Sequence, residues 1–521
     1  MNILAQIVES KKREIEGLYR QYDLQTLLND ATSKYADPGS KPEFYQRLAI
    51  SRNTGKPFFI TEFKRKSPSE GWINKHADLS AQIQAYTRAG ASAISVLTDT
   101  PFFGGSYADL KQARQILDSG HYILDPESRV SDLFAGNLNQ ETNTGQQAAA
   151  MAAVVPLLLQ KDFILDPIQI FLAKIYGADL ILLIAAILEP ETLDSLRKTA
   201  ESIGLGVLVE VHDAEELHRI QALDFQVLGI NNRDLKTFRT SLNRVNVLKE
   251  KAGGRFVIAE SGVLNHQHFQ MVRKSDGFLI GTGLMQKKDK PIPDTLAERF
   301  QSRGRYLFKA CGIRSLETLR ELTVQGNQAI GADFLGINFS PLSKRRADEQ
   351  TSAALKTGPA PNTVAVFYHN TEAEIRETLE TYSFSTLQLY AEEVSPEFVR
   401  SLKARVILAV RVPAALPWSE TMATQVEPFA ADVDCFILDG ATPGSGERIS
   451  GGIPADFPYP FLLAGGLEED NLDTVTAYVN CIGVDIASGI ELDGLVNLVR
   501  VRGIAQRLTS LPLPHDLRDR F

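Results

Sequence analysis

The chain has 521 residues, of which 44% are hydrophobic and 23% are charged, and its formal net charge at pH 7 is −9. This composition is typical of a water-soluble globular protein, and the excess of acidic residues disfavours a nucleic-acid-binding face, which needs clustered cations to displace phosphate counterions. Three scattered cysteines exclude a disulfide framework and lack the spacing of a metal site, which predicts a reducing compartment and no metal.

The first 50 residues contain two amphipathic helical patterns, in which Ile3, Ile7 and Ile15 share part of one face. Acidic and basic residues are mixed here, and no apolar run precedes a small-residue cleavage site, so this segment is not expected to be a signal peptide. The pattern predicts an N-terminal helical extension that caps the domain behind it.

Short apolar runs recur along the rest of the chain, separated by helical patterns. The first half contains eight runs, at residues 57–63, 91–99, 155–163, 180–188, 206–213, 226–234, 256–262 and 276–283. The second half also contains eight, at residues 306–313, 334–340, 363–370, 386–393, 406–412, 435–441, 460–467 and 481–489. The longest apolar stretch, residues 180–188, is too short to cross a bilayer and is typical of a buried strand.

Strands that alternate with helices indicate a parallel sheet, and eight such units repeated twice indicate an α/β fold of two tandem (β/α)8 barrels, that is, TIM barrels. The alternative is one large doubly wound sheet with a smaller domain, but sixteen parallel strands would overfill an open sheet. The predicted domains are residues 1–304, which include the extension and an insertion near 120–153, and residues 305–521. The insertion is either a lid or an additional helix. Residues 287–306 contain no long flexible linker, so the barrels are expected to pack together.

In a parallel barrel the active site lies at the carboxyl ends of the strands. The polar residues at these positions in the first half are Glu62, Lys64, Lys161, Glu210, Asn231, Arg233 and Ser261. Taken singly, each would be a solvated loop residue, but two lysines and two glutamates around one mouth can carry out acid–base chemistry. Ser261–Gly262 and Gly281–Thr282 follow the last two strands, where backbone N–H groups bind phosphate in this fold. A small phosphorylated substrate is therefore expected.

Motifs of the first half resemble, in chain order, those of the indole-3-glycerol-phosphate synthase family. Glu62-Phe-Lys64-Arg-Lys-Ser67-Pro68-Ser69 resembles the signature ExKxxSPS. Further matches are LTDTPFFGGS (97–106), KDFILDPIQI (161–170), GINNRDL (229–235), ESG (260–262) and FLIGTGLM (278–285). The resemblance covers nearly all of residues 1–290 except the insertion.

This resemblance implies that the first half closes 1-(2-carboxyphenylamino)-1-deoxyribulose 5-phosphate to indole-3-glycerol phosphate, with loss of CO2 and water and without a cofactor. It implies that Lys161 is the general acid of ring closure and Glu210 the acid/base of the dehydration. Lys64 would contact the substrate and assist proton transfer, while Glu62 and Asn231 would orient the reacting groups. The implied binding residues are Arg233 and Ser261 for the substrate, Phe103 and Phe163 for its aromatic ring, and Ser67, Gly262, Gly281 and Thr282 for its phosphate.

In the second half, the first predicted strand ends in Lys309-Ala-Cys311 and the sixth in Leu438-Asp439-Gly440. A thiol and a carboxyl at one barrel mouth can act as base and acid in moving a proton between carbon and oxygen. Cys435 and Cys481 lie within or just before strands and are interpreted as small buried hydrophobic residues. AGGL (464–467) and DIASGIE (485–491) follow the last two strands, which predicts a second phosphate site.

Together with KACGI, LDGATPGSG and SKRR, these motifs resemble phosphoribosylanthranilate isomerase over residues 305–510. The resemblance implies that Cys311 is the general base that removes the C2′ proton and Asp439 the general acid that opens the ribose ring. Arg345 would hold the anthranilate carboxylate. The implied phosphate-binding residues are Gly444, Ser445, Gly465, Gly466, Ser488 and Gly489.

Three positions depart from the isomerase pattern. The family's QLHG is Gln388-Leu389-Tyr390-Ala391 here, its glycine-rich loop is Pro443-Gly444-Ser445-Gly446, and a strand lysine is replaced by Leu408. Proline has no N–H to donate, so one phosphate contact is lost. The base and the acid are retained, so the departures bear on efficiency.

The isomerase product is the synthase substrate, so the two halves together predict a bifunctional enzyme of tryptophan biosynthesis. The expected partners are small phosphorylated substrates, with neither nucleic acid nor membrane, and the expected form is a cytoplasmic monomer. A competing hypothesis for the first half is a Schiff-base aldolase, since a barrel lysine can form an imine. The second barrel could instead be a non-catalytic scaffold, or an isomerase of a related phosphoribosyl-amine in histidine synthesis. That chemistry usually uses paired aspartates, and Cys311 stands where one of them would be.

Overall fold

The computed structural model describes residues 3–34, 40–120, 155–234, 237–285, 305–324, 331–356, 362–412, 417–440 and 452–513. In these ranges the chain forms two closed barrels, each of eight parallel strands in sequential order around the ring, as predicted. Nearly all of the predicted insertion and the residues just before the predicted domain boundary lie outside the described ranges.

Barrel one is closed by pairing of its last strand with its first, which places Gly277 opposite Phe58. Its strands are β1 (Phe58–Phe63), β2 (Ala93–Leu97), β3 (Leu157–Lys161), β4 (Leu180–Ile184), β5 (Gly206–Val211), β6 (Val227–Asn231), β7 (Phe256–Glu260) and β8 (Gly277–Ile280). The strands are apolar without alternation because a parallel barrel buries both faces of each strand. The longest apolar stretch divides at Ile184, after which Ala185–Ile187 forms a single 3-10 turn.

Barrel two closes in the same way, with Gly483 of its last strand opposite Leu307 of its first. Its strands are β9 (Leu307–Cys311), β10 (Phe334–Asn338), β11 (Thr363–Val366), β12 (Thr386–Tyr390), β13 (Arg405–Arg411), β14 (Cys435–Asp439), β15 (Phe461–Leu463) and β16 (Cys481–Ile486). Short antiparallel hairpins at residues 66–72 and 491–496 lie outside the two rings.

Most of the described helices begin at a side-chain cap that the sequence places there. Asp166 and Thr371, for example, each form a capping box that satisfies free N–H groups of the first turn. The helices of the first half are α1 (Ile3–Gln21), α2 (Leu24–Ser33), α3 (Glu43–Thr54), α4 (Leu79–Arg88), α5 (Thr100–Phe103), α6 (Tyr107–Asp118), α7 (Pro167–Ile175), α8 (Pro190–Ser202), α9 (Ala214–Ile220), α10 (Asn243–Lys249), α11 (His266–Met271) and α12 (Thr282–Met285). Those of the second half are α13 (Leu316–Val324), α14 (Glu349–Leu355), α15 (Glu372–Tyr382), α16 (Pro396–Ser401), α17 (Trp418–Thr421) and α18 (Leu498–Ser510), with 3-10 segments at Glu427–Asp432 and Glu469–Ala477. No helix in the described ranges combines the length and apolar content needed to cross a membrane.

The N-terminal extension contacts both ends of barrel one and contains a third helix, α3, that the amphipathic patterns do not predict. α3 lies at the amino end, where Phe44 packs edge-on against Phe58 with ring centroids 5.7 Å apart. Gly206 at the start of β5 gives this ring its space, because a Cβ there would lie 2.5 Å from Phe44. α1 lies at the carboxyl end, where the buried Lys11 contacts loop carboxylates that follow β2 and β3.

The two barrels pack together, as predicted, with the amino end of barrel two against loops at the carboxyl end of barrel one. The loop after β6 supplies several contacts: Ser241 Oγ donates to the Val433 carbonyl at 2.6 Å, and the Leu242 N–H donates to Asp434 Oδ1 at 2.7 Å. On α11, Gln267 donates to the Asp333 carbonyl at 3.2 Å. The carboxyl end of barrel two therefore points away from barrel one.

Candidate active sites

The carboxyl end of barrel one encloses a cavity of about 220 Å³. Every residue singled out in the first half lines it: Glu62, Lys64, Ser67, Phe103, Lys161, Phe163, Glu210, Asn231, Arg233, Ser261, Gly262, Gly281 and Thr282. The closed ring brings these side chains together because it places the ends of all eight strands around one opening.

Lys161 at the end of β3 is the centre of this cavity's charge network. Its Nζ lies 2.9 Å from Glu260 Oε2, 3.7 Å from Glu62 Oε2 and 3.8 Å from Glu210 Oε2. Burial would lower the pKa of Lys161, but these carboxylates raise it above its ordinary value, so the side chain is an ammonium group. The free site therefore holds a proton donor among carboxylates at the barrel axis.

Two residues of this network were missed by the sequence reasoning. Glu260 ends β7 with its side chain fully buried, and burial together with the neighbouring Glu210 carboxylate raises its pKa to about 8. His212 follows β5, and its Nε2 lies 3.1 Å from Glu210 while its Nδ1 lies 3.1 Å from Glu216. Burial would lower the pKa of His212, but the two carboxylates raise it to about 10. The ESG motif could have identified Glu260, and the position directly after β5 could have identified His212.

The two catalytic carboxylates predicted from the sequence are held in the ionised state. Burial would raise the pKa of Glu62, yet Lys64 at 2.8 Å and Lys161 lower it. Burial would likewise raise the pKa of Glu210, but His212 and Lys161 lower it. Asn231 Nδ2 donates to Glu210 Oε1 at 3.3 Å and so fixes the orientation of that carboxylate.

The side of the cavity formed by the ends of β7 and β8 has the backbone shape of an anion site. Ser261 and Gly262 both have positive φ angles, 62° and 84°, so the chain turns sharply after β7. Gly281 allows close approach after β8, because a Cβ there would lie 2.3 Å from Glu62 Oε1. Nearby, Arg233 Nη1 donates to Ser69 Oγ at 2.8 Å, which links the loops after β6 and β1.

The opposite wall of the cavity is apolar. The rings of Phe103 and Phe163 lie with centroids 5.9 Å apart, and Ile3, Leu4 and Ile7 of α1 complete the wall. This wall can pack against an aromatic ring of a ligand, and the side chains at the strand ends can bind the ligand's charged groups.

Barrel two has a cavity of about 680 Å³ at its carboxyl end. The predicted residues that line it are Cys311, Arg345, Asp439, Gly465, Gly466 and Ser488. Gly489 follows Ser488 but is not among the lining residues; a Cβ there would meet the Leu467 carbonyl at 2.1 Å, so it permits packing between two loops. Gly444 and Ser445, with Pro443, lie outside the described residues.

Cys311 lies beside a buried ion pair that sequence reasoning did not identify. Lys309, fully buried two residues earlier on β9, lies 2.8 Å from Asp485 Oδ1 at the end of β16. Burial raises the pKa of the Cys311 thiol, whereas the Lys309 ammonium opposes that shift. Lysine therefore stabilises a thiolate at this position when a proton is transferred.

Asp439 ends β14 across the same cavity. Burial and the nearby Asp485 raise the pKa of Asp439 to about 7, and the Gly440 N–H, which donates to its Oδ1 at 2.8 Å, opposes part of this shift. A carboxyl with this pKa holds its proton in a large fraction of molecules at neutral pH. It therefore fits the predicted role of acid.

Arg345 is paired with a carboxylate in the free protein. Its Nε lies 2.5 Å from Glu491 Oε1 and its Nη2 lies 2.8 Å from Glu491 Oε2, a bidentate pairing. A substrate carboxylate at this arginine would therefore compete with Glu491.

Two departures from the isomerase pattern lie in the described part of barrel two. Tyr390 is buried and lines the cavity, with its ring 4.8 Å from that of Tyr368. Leu408 is fully buried in the hydrophobic core, so its side chain packs where a lysine would bring charge. Cys435 and Cys481 lie within β14 and β16, fully buried, which confirms their interpretation as core residues.

Comparison with known proteins assigns both halves. A family model described as indole-3-glycerol phosphate synthase matches residues 4–125 and 131–292, and one described as N-(5′-phosphoribosyl)anthranilate isomerase matches residues 308–507. The tryptophan biosynthesis protein TrpCF of Yersinia pestis is 32% identical over 513 residues, which cover 97% of this chain and 94% of that protein. The TrpCF protein of Vibrio parahaemolyticus is 31% identical over 498 residues, covering 94% and 90%.

Among solved structures, phosphoribosyl anthranilate isomerase from Thermus thermophilus covers 40% of this chain and 100% of its own, with 28% identity and a TM-score of 0.33. The family models match in the same order as the two barrels, and the TrpCF relatives span nearly the whole chain. The chain therefore belongs to the family of bifunctional tryptophan-biosynthesis proteins that join an indole-3-glycerol phosphate synthase domain to a phosphoribosylanthranilate isomerase domain.

Proposed function

We propose that each cavity carries one of two consecutive reactions and that the residues lining it have the roles implied by their motifs. The observation that carries this proposal is that each barrel mouth contains its own set of acids and bases, Lys161 with three glutamates in one and Cys311 with Asp439 in the other. The chain is thus a synthase and an isomerase that act in sequence, barrel two supplying the substrate of barrel one.

In barrel two, the Cys311 thiolate removes the C2′ proton of N-(5-phosphoribosyl)anthranilate while Asp439 protonates the ribose ring oxygen, which breaks the C–O bond and opens the ring. Tautomerisation of the resulting enol gives 1-(2-carboxyphenylamino)-1-deoxyribulose 5-phosphate. Support comes from the pKa of Asp439, about 7, and from the Lys309 ammonium beside the thiol. Arg345 holds the anthranilate carboxylate, and the glycines after β15 bind the phosphate.

In barrel one, Lys161 donates a proton to the C2′ carbonyl oxygen as the aryl carbon attacks C2′. Loss of CO2 restores the aromatic ring. The C2′ hydroxyl then leaves as water while a base takes a proton from C1′, and the C1′=C2′ double bond that forms completes the indole. Glu210 takes part in this dehydration as acid/base, Lys64 assists proton transfer, and Glu62 and Asn231 orient the groups. Glu260, which lies 2.9 Å from the Lys161 ammonium, holds that proton donor in position. The substrate's ring lies at Phe103 and Phe163, with Arg233 and Ser261 contacting its polar groups and Ser67, Gly262, Gly281 and Thr282 binding its phosphate.

The remaining expectations are part of the same proposal. The synthase domain ends at residue 304 and the isomerase domain begins at residue 305. The chain acts as a monomer. It works in the cytoplasm, where free thiols such as those of its three cysteines persist. The matched families give no support to an aldolase, a scaffold or a histidine-pathway isomerase. Cys311, Asp439 and Arg345 lining one cavity also argue against a scaffold role for barrel two.

The proposal is tested by supplying the purified chain with N-(5-phosphoribosyl)anthranilate and following loss of anthranilate fluorescence together with formation of indole-3-glycerol phosphate. Both changes are expected. If the first substrate persists while added deoxyribulose intermediate is still converted to the indole, barrel two is not the isomerase. If neither substrate is consumed by folded protein, the proposal is wrong for both barrels.

A further inference from the structure

One arginine of barrel two lies at the cavity of barrel one. Arg405 begins β13, at the amino end of its own barrel, and is among the residues that line the synthase cavity. Its Nη2 donates to the carbonyl of Gly262 at 2.6 Å. This contact is at the turn after β7 proposed to bind the substrate phosphate.

The contact belongs to a clamp that joins the two barrels. Arg405 Nη1 lies 3.1 Å from Oδ2 of Asp434, whose other oxygen accepts the Leu242 N–H at 2.7 Å. The Asp434 side chain is 2% exposed and that of Arg405 13%. One buried ion pair of barrel two thus holds the loops after β6 and β7 of barrel one against each other.

The clamped turn needs such support because its backbone is strained. Ser261 has a φ of 62° and Gly262 one of 84°, so a non-glycine residue occupies the left-handed region next to a glycine. Left-handed conformations of non-glycine residues cost energy and persist only where surrounding contacts fix them. The peptide between Gly262 and Val263 is trans, so holding the carbonyl at Arg405 directs the Val263 N–H away from barrel two.

We infer that Arg405 of the isomerase barrel is a positioning residue of the synthase phosphate site, because it fixes the peptide that follows Ser261 and Gly262. This inference rests on the proposed binding of phosphate at these residues. It makes substrate affinity in barrel one depend on a side chain of barrel two, while leaving the proton-transfer groups around Lys161 in place. The expected defect is therefore in KM and phosphate affinity rather than in kcat.

The test compares Arg405→Met with Arg273→Met in the full-length chain. Arg273 is a matched control, since it also donates across the barrel interface to a backbone carbonyl, that of Val479, at 2.8 Å, but does not line the synthase cavity. In Arg405→Met, the synthase KM and the inhibition constant of inorganic phosphate are expected to rise by at least about tenfold, equal to 1.4 kcal/mol. Synthase kcat should change by less than about threefold, and isomerase kinetics should be unchanged.

Isomerase activity also reports whether barrel two remains folded, since Arg405 is part of its sheet. If Arg405→Met loses that activity, Arg405→Gln replaces it: the amide of glutamine ends two bonds short of the guanidinium nitrogens and cannot contact both Gly262 and Asp434, so the synthase KM should still rise. If inorganic phosphate inhibits the variant and the wild type equally, Arg405 does not have the proposed role. If phosphate does not compete with the substrate in the wild type, the proposed phosphate site is wrong instead.

Discussion

The buried lysine of the N-terminal extension gives a quantitative prediction about the synthase site. Lys11 of α1 is 1% exposed, and its Nζ lies 2.8 Å from Asp162 Oδ1, 2.8 Å from Glu14 Oε2 and 3.3 Å from Asp99 Oδ2. The same helix places Ile7 in the cavity wall. Lys11 therefore joins the helix that walls the cavity to the loops after β2 and β3.

Replacing Lys11 by Met removes the cation from two buried carboxylates, which costs about 3–5 kcal/mol. The apolar contacts of α1, one fully buried side chain and five half-buried ones, contribute about 5–10 kcal/mol, from which the entropy cost of ordering the helix is subtracted. The loss is thus comparable with the free energy that holds α1 in place. The helix should leave the cavity in a substantial fraction of molecules.

The expected result for Lys11→Met is a rise of at least about tenfold in synthase KM, equal to 1.4 kcal/mol, with unchanged isomerase kinetics. Limited proteolysis should cleave within α1 faster than in the wild type. Lys12→Met is the control, because Lys12 is exposed on the same helix. A Lys11→Met variant with wild-type KM and wild-type resistance to proteolysis would refute this reasoning.

Three further predictions concern single ionisable groups. The pKa of Asp439 is about 7 and the acid must be protonated, so isomerase kcat/KM should fall above that pH. The residual activity of Asp439→Asn should not show this fall. A wild-type kcat/KM that stays constant up to pH 9 would exclude this carboxyl as the acid. Glu491→Gln should lower the isomerase KM by about threefold or more, because a neutral amide competes with the substrate carboxylate for Arg345 less well than a carboxylate does. A higher KM would instead make Glu491 a positioning residue. His212→Gln removes a cation that lowers the pKa of Glu210, so the fall in synthase activity at low pH should begin at a higher pH than in the wild type. An unchanged pH profile would contradict this role of His212.

Most of the fold follows from local sequence pattern. Each strand of the two barrels coincides with a short apolar run, because strands of a parallel barrel are buried on both faces and show no polar alternation. The positions of Lys161 and Cys311 at strand ends follow from the same pattern, since such ends converge in a closed barrel. Helix α3 could not be predicted in this way, because it buries only Phe44, Tyr45 and Leu48 and has no clear apolar stripe.

The missed site residues depend on contacts that no local pattern contains. Glu260 and Lys309 lie inside apolar runs, and their importance follows from what the ring places beside them, namely Lys161 and Asp485. Arg405 starts a strand and so belongs to the end of its barrel remote from the chemistry. Its position at the other barrel's cavity follows only from how the two barrels pack.

The central claim is that the two barrels carry different reactions on separate catalytic groups. The most direct measurement is to assay both reactions separately in Lys161→Ala and Cys311→Ala, and then to mix the two variants. We expect Lys161→Ala to lose ring closure and keep isomerisation, and Cys311→Ala to do the reverse. An equimolar mixture should convert N-(5-phosphoribosyl)anthranilate to indole-3-glycerol phosphate. Wild-type synthase turnover in Lys161→Ala, or wild-type isomerase turnover in Cys311→Ala, would contradict the account.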